Sequence, residues 1–342
     1  MHDISPRARR VAALVMCVLL GGCARTGRLP DYGPHRLGNN TLSRRGWRWK
    51  HTRGWVVRTR HYRIYTTVGS RLDQYLFGRT LEAAYARFKR LAPLTAEPIP
   101  LRVYIFRRRA QWNAFTRQNT GQNASLYLDI AAGAYTQNGV AVAYWLGRVS
   151  TLSVIAHEAW HQCSWFGFKN HLPAWLEEGL ATQNEAIMWR HRTPEFVPAQ
   201  NYSRWLALRQ AVKQRRLWTL HTLTRIHAGE VVRLPQKDIN SYYAELWSLA
   251  LFLEHSRYRP RLLRLLHAAE TGRLVRLLRG TGISANQAAA FTQRWNAVAG
   301  PLYLHAYINP SSATLQNQYF AFVRRLTRQW PPKLARAIAP WR

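Results

Sequence analysis

The chain has 342 residues, 50 Lys+Arg against 16 Asp+Glu, and a net charge of +34. Hydrophobic residues make up 47% and aromatic residues 12%, including 15 Trp, which excludes a disordered polybasic chain. No apolar run reaches the roughly 20 residues of a spanning helix, and three cysteines cannot build the disulfide framework of a small secreted domain.

Arginine supplies 44 of the positive charges, and the excess is scattered over the whole chain. A dedicated nucleic-acid module gathers its charge on one helix or stripe within a recognisable motif, and none is found. Nucleic acid is therefore not expected as a partner. Contact with anionic envelope polymers is.

At the N-terminus, Arg7, Arg9 and Arg10 precede the apolar stretch Val11–Leu20. That stretch is too short to cross a bilayer and suits the core of a signal peptide. It runs into Leu20-Gly21-Gly22-Cys23, which resembles a bacterial lipobox. The expectation is a lipoprotein signal peptide over 1–22, lipidation at Cys23, and a place in the cell envelope, anchored on its extracytoplasmic side. Residues 23–45, rich in Gly, Pro, Arg, Asn and Ser, read as a flexible tether.

Alternating apolar and polar residues predict strands over Trp55–Thr59 and Tyr62–Val68. Helical spacing follows over Leu72–Leu91, closed by Pro93. Leu101–Phe106 reads as a strand, Ala110–Gln118 as a short helix and Ser125–Ile130 as a strand. Asn138-Gly139 is a strong hairpin signal between Tyr135 and Val140. Helical patterns then occupy 149–165, 174–189, 202–216, 240–256, 259–268 and 284–296. Strands first and helices after predict an α+β fold with an N-terminal mixed sheet. The expected organisation is a main domain over 46–270 and a basic helical region over 271–342.

His157-Glu158-Ala159-Trp160-His161 places two histidines one turn apart on one helix face. Two imidazole nitrogens so placed can hold one Zn²⁺, and Glu158 stands where it can take a proton from water. With 13 His and 11 Glu in the chain, about 0.016 such sequences are expected by chance. The flanking residues Val154, Ile155, Ala156, Gln162 and Cys163 carry no charge, as a buried metal helix requires. Cys163 itself is expected to be a buried structural thiol.

A catalytic zinc needs a third protein ligand. Ser164 and Gly167 stand where a metzincin-like site would have Gly and His, so that class is excluded. His171 falls in a turn before Pro173. Beyond it, Pro173 opens a second helix carrying Glu177 and Glu178, either of which an antiparallel docking could bring to the metal.

H-E-x-x-H followed by Pro173-Ala174-Trp175-Leu176-Glu177-Glu178-Gly179-Leu180-Ala181 resembles the gluzincin group of zinc metallopeptidases. In particular it resembles the bacterial peptidase-MA-like families, including domain of unknown function 1570, over roughly residues 55–270. The resemblance implies a zincin-like fold, an active-site helix followed by a helical C-terminal lobe, and Glu178 as the third zinc ligand. Gly179 would then let the two site helices pack closely, with Glu177 as a solvated neighbour. Tyr243, with Tyr242 next, is implied to stabilise the oxyanion formed when water attacks a carbonyl. Thr182 is a candidate partner for a ligand histidine, whereas His221, His227, His255 and His267 are left as surface or core residues. The expected activity is hydrolysis of a peptide or protein by metal-activated water. The rival is a non-catalytic basic lipoprotein that uses the fold as a scaffold to bind anionic polymers. An intact Glu158 favours the enzyme.

Overall fold

The protein is described by a computed structural model. It describes residues 13–15, 42–92, 100–130, 133–231, 233–283 and 292–341. Cys23, nearly all of the leader and tether, and the first part of the helix predicted over 284–296 lie outside these residues.

The fold is α+β. One mixed sheet has the order β1-β6-β7-β5-β4-β3-β2, and a separate hairpin pairs β8 with β9. The strands are β1 (Ala13–Val15), β2 (Ser43–Trp49), β3 (Thr52–Arg58), β4 (Tyr62–Thr66), β5 (Leu101–Phe106), β6 (Ala134–Gln137), β7 (Val140–Tyr144), β8 (Ile187–Arg190) and β9 (Thr193–Phe196). β4, β5 and β7 run parallel; the other pairings are antiparallel. Asn138 and Gly139 both adopt positive φ, 50° and 70°, as the tight β6–β7 turn requires.

The helices are α1 (Arg71–Leu91), α2 (Arg109–Thr120), α3 (Ala124–Leu128), α4 (Arg148–Gly167), α5 (Ala174–Thr182), α6 (Tyr202–Lys213), α7 (Leu220–Arg225), α8 (Ala228–Val231), α9 (Gln236–His255), α10 (Arg259–Thr271), α11 (Gln293–Tyr303), α12 (Ser312–Leu326) and α13 (Leu334–Ile338). α1 and α4 pack on one face of the sheet, against Val57, Ile64, Val103 and Ala141. On the other face α2 and α3 cover the β5–β7 end with Trp112, Phe115 and Tyr127.

Several expectations are corrected. Ser125–Ile130 is not a strand, because Ala124–Leu128 closes a helical turn instead. Ser43–Trp49 pairs along the whole length of β3, so the end of the predicted tether belongs to the sheet. The helix expected over 174–189 ends at Thr182, and β8 follows from Ile187. Residues after 271 contribute Trp295, Tyr303, Tyr319 and Phe322 to the same core as the sheet.

α9 buries Glu245, whose carboxyl accepts the Trp218 N–H (3.0 Å) and the Ser241 hydroxyl (3.2 Å), with no cation paired to it among the described residues. Burial pushes this carboxyl from 4.5 up to about 8, against those two hydrogen bonds. The native state therefore keeps a proton that the unfolded chain releases, and stability falls as pH rises from about 4.5 to about 8. Urea unfolding at pH 5 and pH 8 should show this loss in the native chain and a flatter profile in Glu245→Gln, each unit of displacement being worth about 1.4 kcal/mol.

Candidate metal centre

α4 is buried on all sides from Thr151 to Ser164, which suits a helix enclosed by sheet, α1 and α5. Its start is fixed by Thr151, whose hydroxyl donates to the Gly147 carbonyl (2.7 Å) and accepts the Leu146 N–H (3.0 Å). One helical turn then brings the His157 and His161 rings to 4.9 Å between centroids.

α5 follows a short loop, and its exposed first amide is not left to water. The Ala174 N–H donates to the Asn296 side chain on α11 (2.7 Å), and the Trp175 indole donates to the Gly300 carbonyl (3.3 Å). Gly179 faces α9. A Cβ there would lie 3.1 Å from the Leu246 carbonyl oxygen and 3.2 Å from Ala250 Cβ. The close approach it allows is therefore with α9, and not between the two site helices.

Glu178 Oε2 stands 3.3 Å from His157 Nε2 and 3.9 Å from His161 Nε2. Two atoms bound to one zinc at about 2.05 Å and a tetrahedral angle lie about 3.3 Å apart. His157, Glu158 and His161 can each also bring a ligand atom within 4.8 Å of the others. His157 Nε2, His161 Nε2, both Glu178 oxygens and Glu158 Oε1 are all buried and lack a hydrogen-bond partner. Five such atoms in one place call for partners, which a bound ion or water would supply. The donor set, two imidazoles and carboxylate oxygen, fits a divalent metal.

Each histidine is oriented from behind. His157 Nδ1 lies 3.0 Å from Glu185 Oε1, and His161 Nδ1 lies 2.9 Å from Glu177 Oε1. With Nδ1–H donating to a carboxylate, Nε2 keeps its lone pair for a metal. Glu185 is itself clamped by Arg204, through Nε (2.8 Å) and Nη2 (2.7 Å), and by Asn201 Nδ2 (2.9 Å). Burial alone would push the Glu185 carboxyl up; the Arg204 charge and the hydrogen bonds from His157 and Arg204 win and hold it at about 2. Burial likewise works against a charged His157, but the charges of Glu178 and Glu185 and the hydrogen bond to Glu185 raise it to about 9. The pocket favours positive charge at His157, the environment a cation needs.

Glu158 differs from Glu178 in having one carboxylate oxygen held by the protein. The Thr136 hydroxyl on β6 donates to its Oε2 (2.7 Å), which leaves Oε1 unpaired. Burial raises the Glu158 carboxyl above its ordinary range, opposed by the charges of His161 and His157. That shift is in the direction a general base at neutral pH requires.

The sequence reading missed several of these residues. Glu177 is buried and holds His161, where a solvated carboxylate was expected; the Ser164 hydroxyl also donates to it (2.5 Å). Thr182 does not reach a histidine, because its hydroxyl donates back to the Gly179 carbonyl (2.6 Å). Tyr243 lies with its ring 5.1 Å from the Arg204 guanidinium. Tyr242 has a buried hydroxyl without a partner, and burial followed by the charge of Glu178 raises its pKa well above 10. His227 accepts the Gly229 N–H at Nδ1 (3.1 Å), and Glu178 is among the charges acting on it. His171 packs beside Trp165, where burial holds it neutral, at about 4. Cys163 is buried and takes part in no disulfide among the described residues, in line with a structural role.

Comparison with protein-family models, with curated proteins and with solved structures finds no match.

Glu185→Gln should weaken metal affinity about 10–100-fold, because the His157 ring loses the charged partner that orients it. It should also lower the melting temperature, since Arg204 would be left buried without a counter-charge. Competition against a chromophoric chelator and a thermal melt measure the two effects. An unchanged affinity would contradict the clamp.

Proposed function

We propose that this protein is a zinc metallopeptidase of gluzincin type with a zincin-like fold, acting from the outer side of a bacterial membrane. The observation that carries the reading is the convergence of five unpartnered buried atoms from His157, His161, Glu178 and Glu158. His157, His161 and Glu178 would hold the ion. When bound, zinc polarises a carbonyl oxygen and lowers the pKa of water.

The chain's own residues supply the rest. Glu158, with Oε2 occupied by Thr136 and Oε1 free, accepts the proton of the attacking water and delivers it to the leaving amine. Glu177 and Glu185 keep both imidazoles in the ligating tautomer. A phenol, Tyr243 or Tyr242, donates to the developing oxyanion; Tyr→Phe changes at each position separate the two.

An extended substrate has a natural place to pair. β1 already lies antiparallel on β6, with Leu14 opposite Thr136, the residue that orients Glu158. β1 belongs to the stretch read as the signal-peptide core. Its removal would free a strand edge beside the general base, ready for β-augmentation by a peptide. Lipidation at Cys23 would keep the mature chain at the envelope. Among the described residues no helix is long and apolar enough to cross a membrane.

Glu158→Gln separates chemistry from assembly. Elemental analysis should find zinc retained, while cleavage in a peptide-library digest falls by a factor of roughly 10²–10⁴. His161→Ala should lose metal and cleavage together. Should the native chain bind zinc and cut nothing that Glu158→Gln leaves whole, the scaffold reading replaces this one.

A further inference from the structure

The sheet has a second face, opposite α1 and α4, that the metal centre does not use. Between Asp31 and Asp73 the chain has no acidic residue and ten arginines or lysines. The pairing register shows where part of that charge lands. Arg58 on β3 is directly opposite Arg63 on β4, and Arg63 is directly opposite Arg102 on β5. Three arginines therefore stand side by side across three adjacent strands, about 4.8 Å apart from strand to strand. Like charges directly opposite one another destabilise a sheet. Among the described residues no acidic side chain pairs with any of the three, and Arg63 Nε is buried without a partner.

Two residues further along the strands, on the same face, comes a row of rings. Tyr65 and Tyr104 are paired in register and stacked at 4.7 Å with 12° between planes. Trp47 meets Tyr65 edge-on at 5.4 Å, and Phe115 lies 4.5 Å from Tyr104. The rings pack on one another as a ridge, which leaves no set of separate platforms for nucleobases to stack on. Arg58 and Arg102 are exposed, and Arg63, Tyr65 and Tyr104 are half-buried. A row of cations beside a ridge of Tyr and Trp, at the edge of the part of this face that α2 and α3 cover, has the chemistry of a membrane–water interface, where aromatic rings sit at headgroup level and arginines meet phosphate.

We propose that this face of the sheet, centred on Arg58, Arg63 and Arg102 with the Trp47–Tyr65–Tyr104 ridge, docks the protein onto the anionic phosphate headgroups of a lipid bilayer. The metal helix α4 packs on the opposite face, where Gln162 Nε2 bonds the Arg102 and Gly139 carbonyls, so docking would leave that side of the sheet turned toward solution. The proposal does not depend on the peptidase reading. It accounts for a row of opposed like charges that has no acidic partner among the described residues.

The test uses the full chain carrying Cys23→Ser, so that no acyl group contributes, and co-sedimentation with phosphatidylglycerol-containing vesicles against pure phosphatidylcholine vesicles. Each arginine at an anionic surface contributes about fivefold in partitioning, so Arg58→Gln/Arg63→Gln/Arg102→Gln should lose roughly a hundredfold. The same charge removed at the exposed Arg273, Arg276 and Arg279 should cost less than about threefold. Zinc content should be the same in all variants, and the triple variant should melt no lower than the parent, since opposed like charges have been removed. Arg58→Glu alone, at an exposed position, provides a second readout and should lose at least about tenfold. Equal losses in the two triple variants, equal binding to neutral vesicles, or binding to single-stranded oligothymidylate in place of vesicles would each overturn the proposal.

Discussion

Everything around the candidate centre depends on one electrostatic constraint, the enclosure of several carboxylates and two imidazoles in the protein interior. Glu177, Glu178 and Glu185 come from one short stretch of chain, and all three are buried against α4. Burial of anions on this scale is unfavourable unless each finds a counter-charge or a donor. Glu185 has Arg204 and Asn201, and Glu177 has Ser164 and His161. Glu178 has only the Nε2 edges of the two histidines, too loosely placed to count as hydrogen bonds. A cation held at that point would complete the balance.

The fold is arranged to hold that balance in place. α4 lies between sheet and helices, so its histidines cannot swing toward water. α5 is pinned from outside its own neighbourhood, by Asn296 and Gly300 on α11 and by the close approach of α9 at Gly179. Glu158 is oriented by a different element, the β6 strand, through Thr136. Glu158 thus takes its orientation from the sheet, whereas its helix neighbours His157 and His161 take theirs from Glu185 and Glu177.

Much of this was legible in the sequence wherever local periodicity decides the outcome. The i, i+4 histidines, the helix from Ala174, the Asn138-Gly139 turn and the strand Leu101–Phe106 all follow from spacing alone. What was not legible is contact between distant segments. Nothing in the pattern around Glu185 or Arg204 marks them as the support of His157, because Glu185 is 28 residues from His157 and Arg204 a further 19 from Glu185. Glu177 looked like a first-turn carboxylate facing water, and only the docking of α5 on α4 turns it to His161. Ser125–Ile130 alternates like a strand, yet its apolar residues cover the sheet from a helical turn, with Tyr127 stacked on Tyr135. The register that lines up Arg58, Arg63 and Arg102 is likewise a property of strand pairing, since those residues are scattered along the chain.

The most direct test of the centre is zinc-edge X-ray absorption on the purified full chain. A first shell of nitrogen and oxygen at about 2.0–2.1 Å, with the outer-shell scattering of two imidazoles, is expected from His157, His161 and Glu178. A sulfur shell at about 2.3 Å would put Cys163 or another thiol on the metal, and a folded chain with no bound metal would leave the five converging atoms without their ion. Either result would contradict the ligand set.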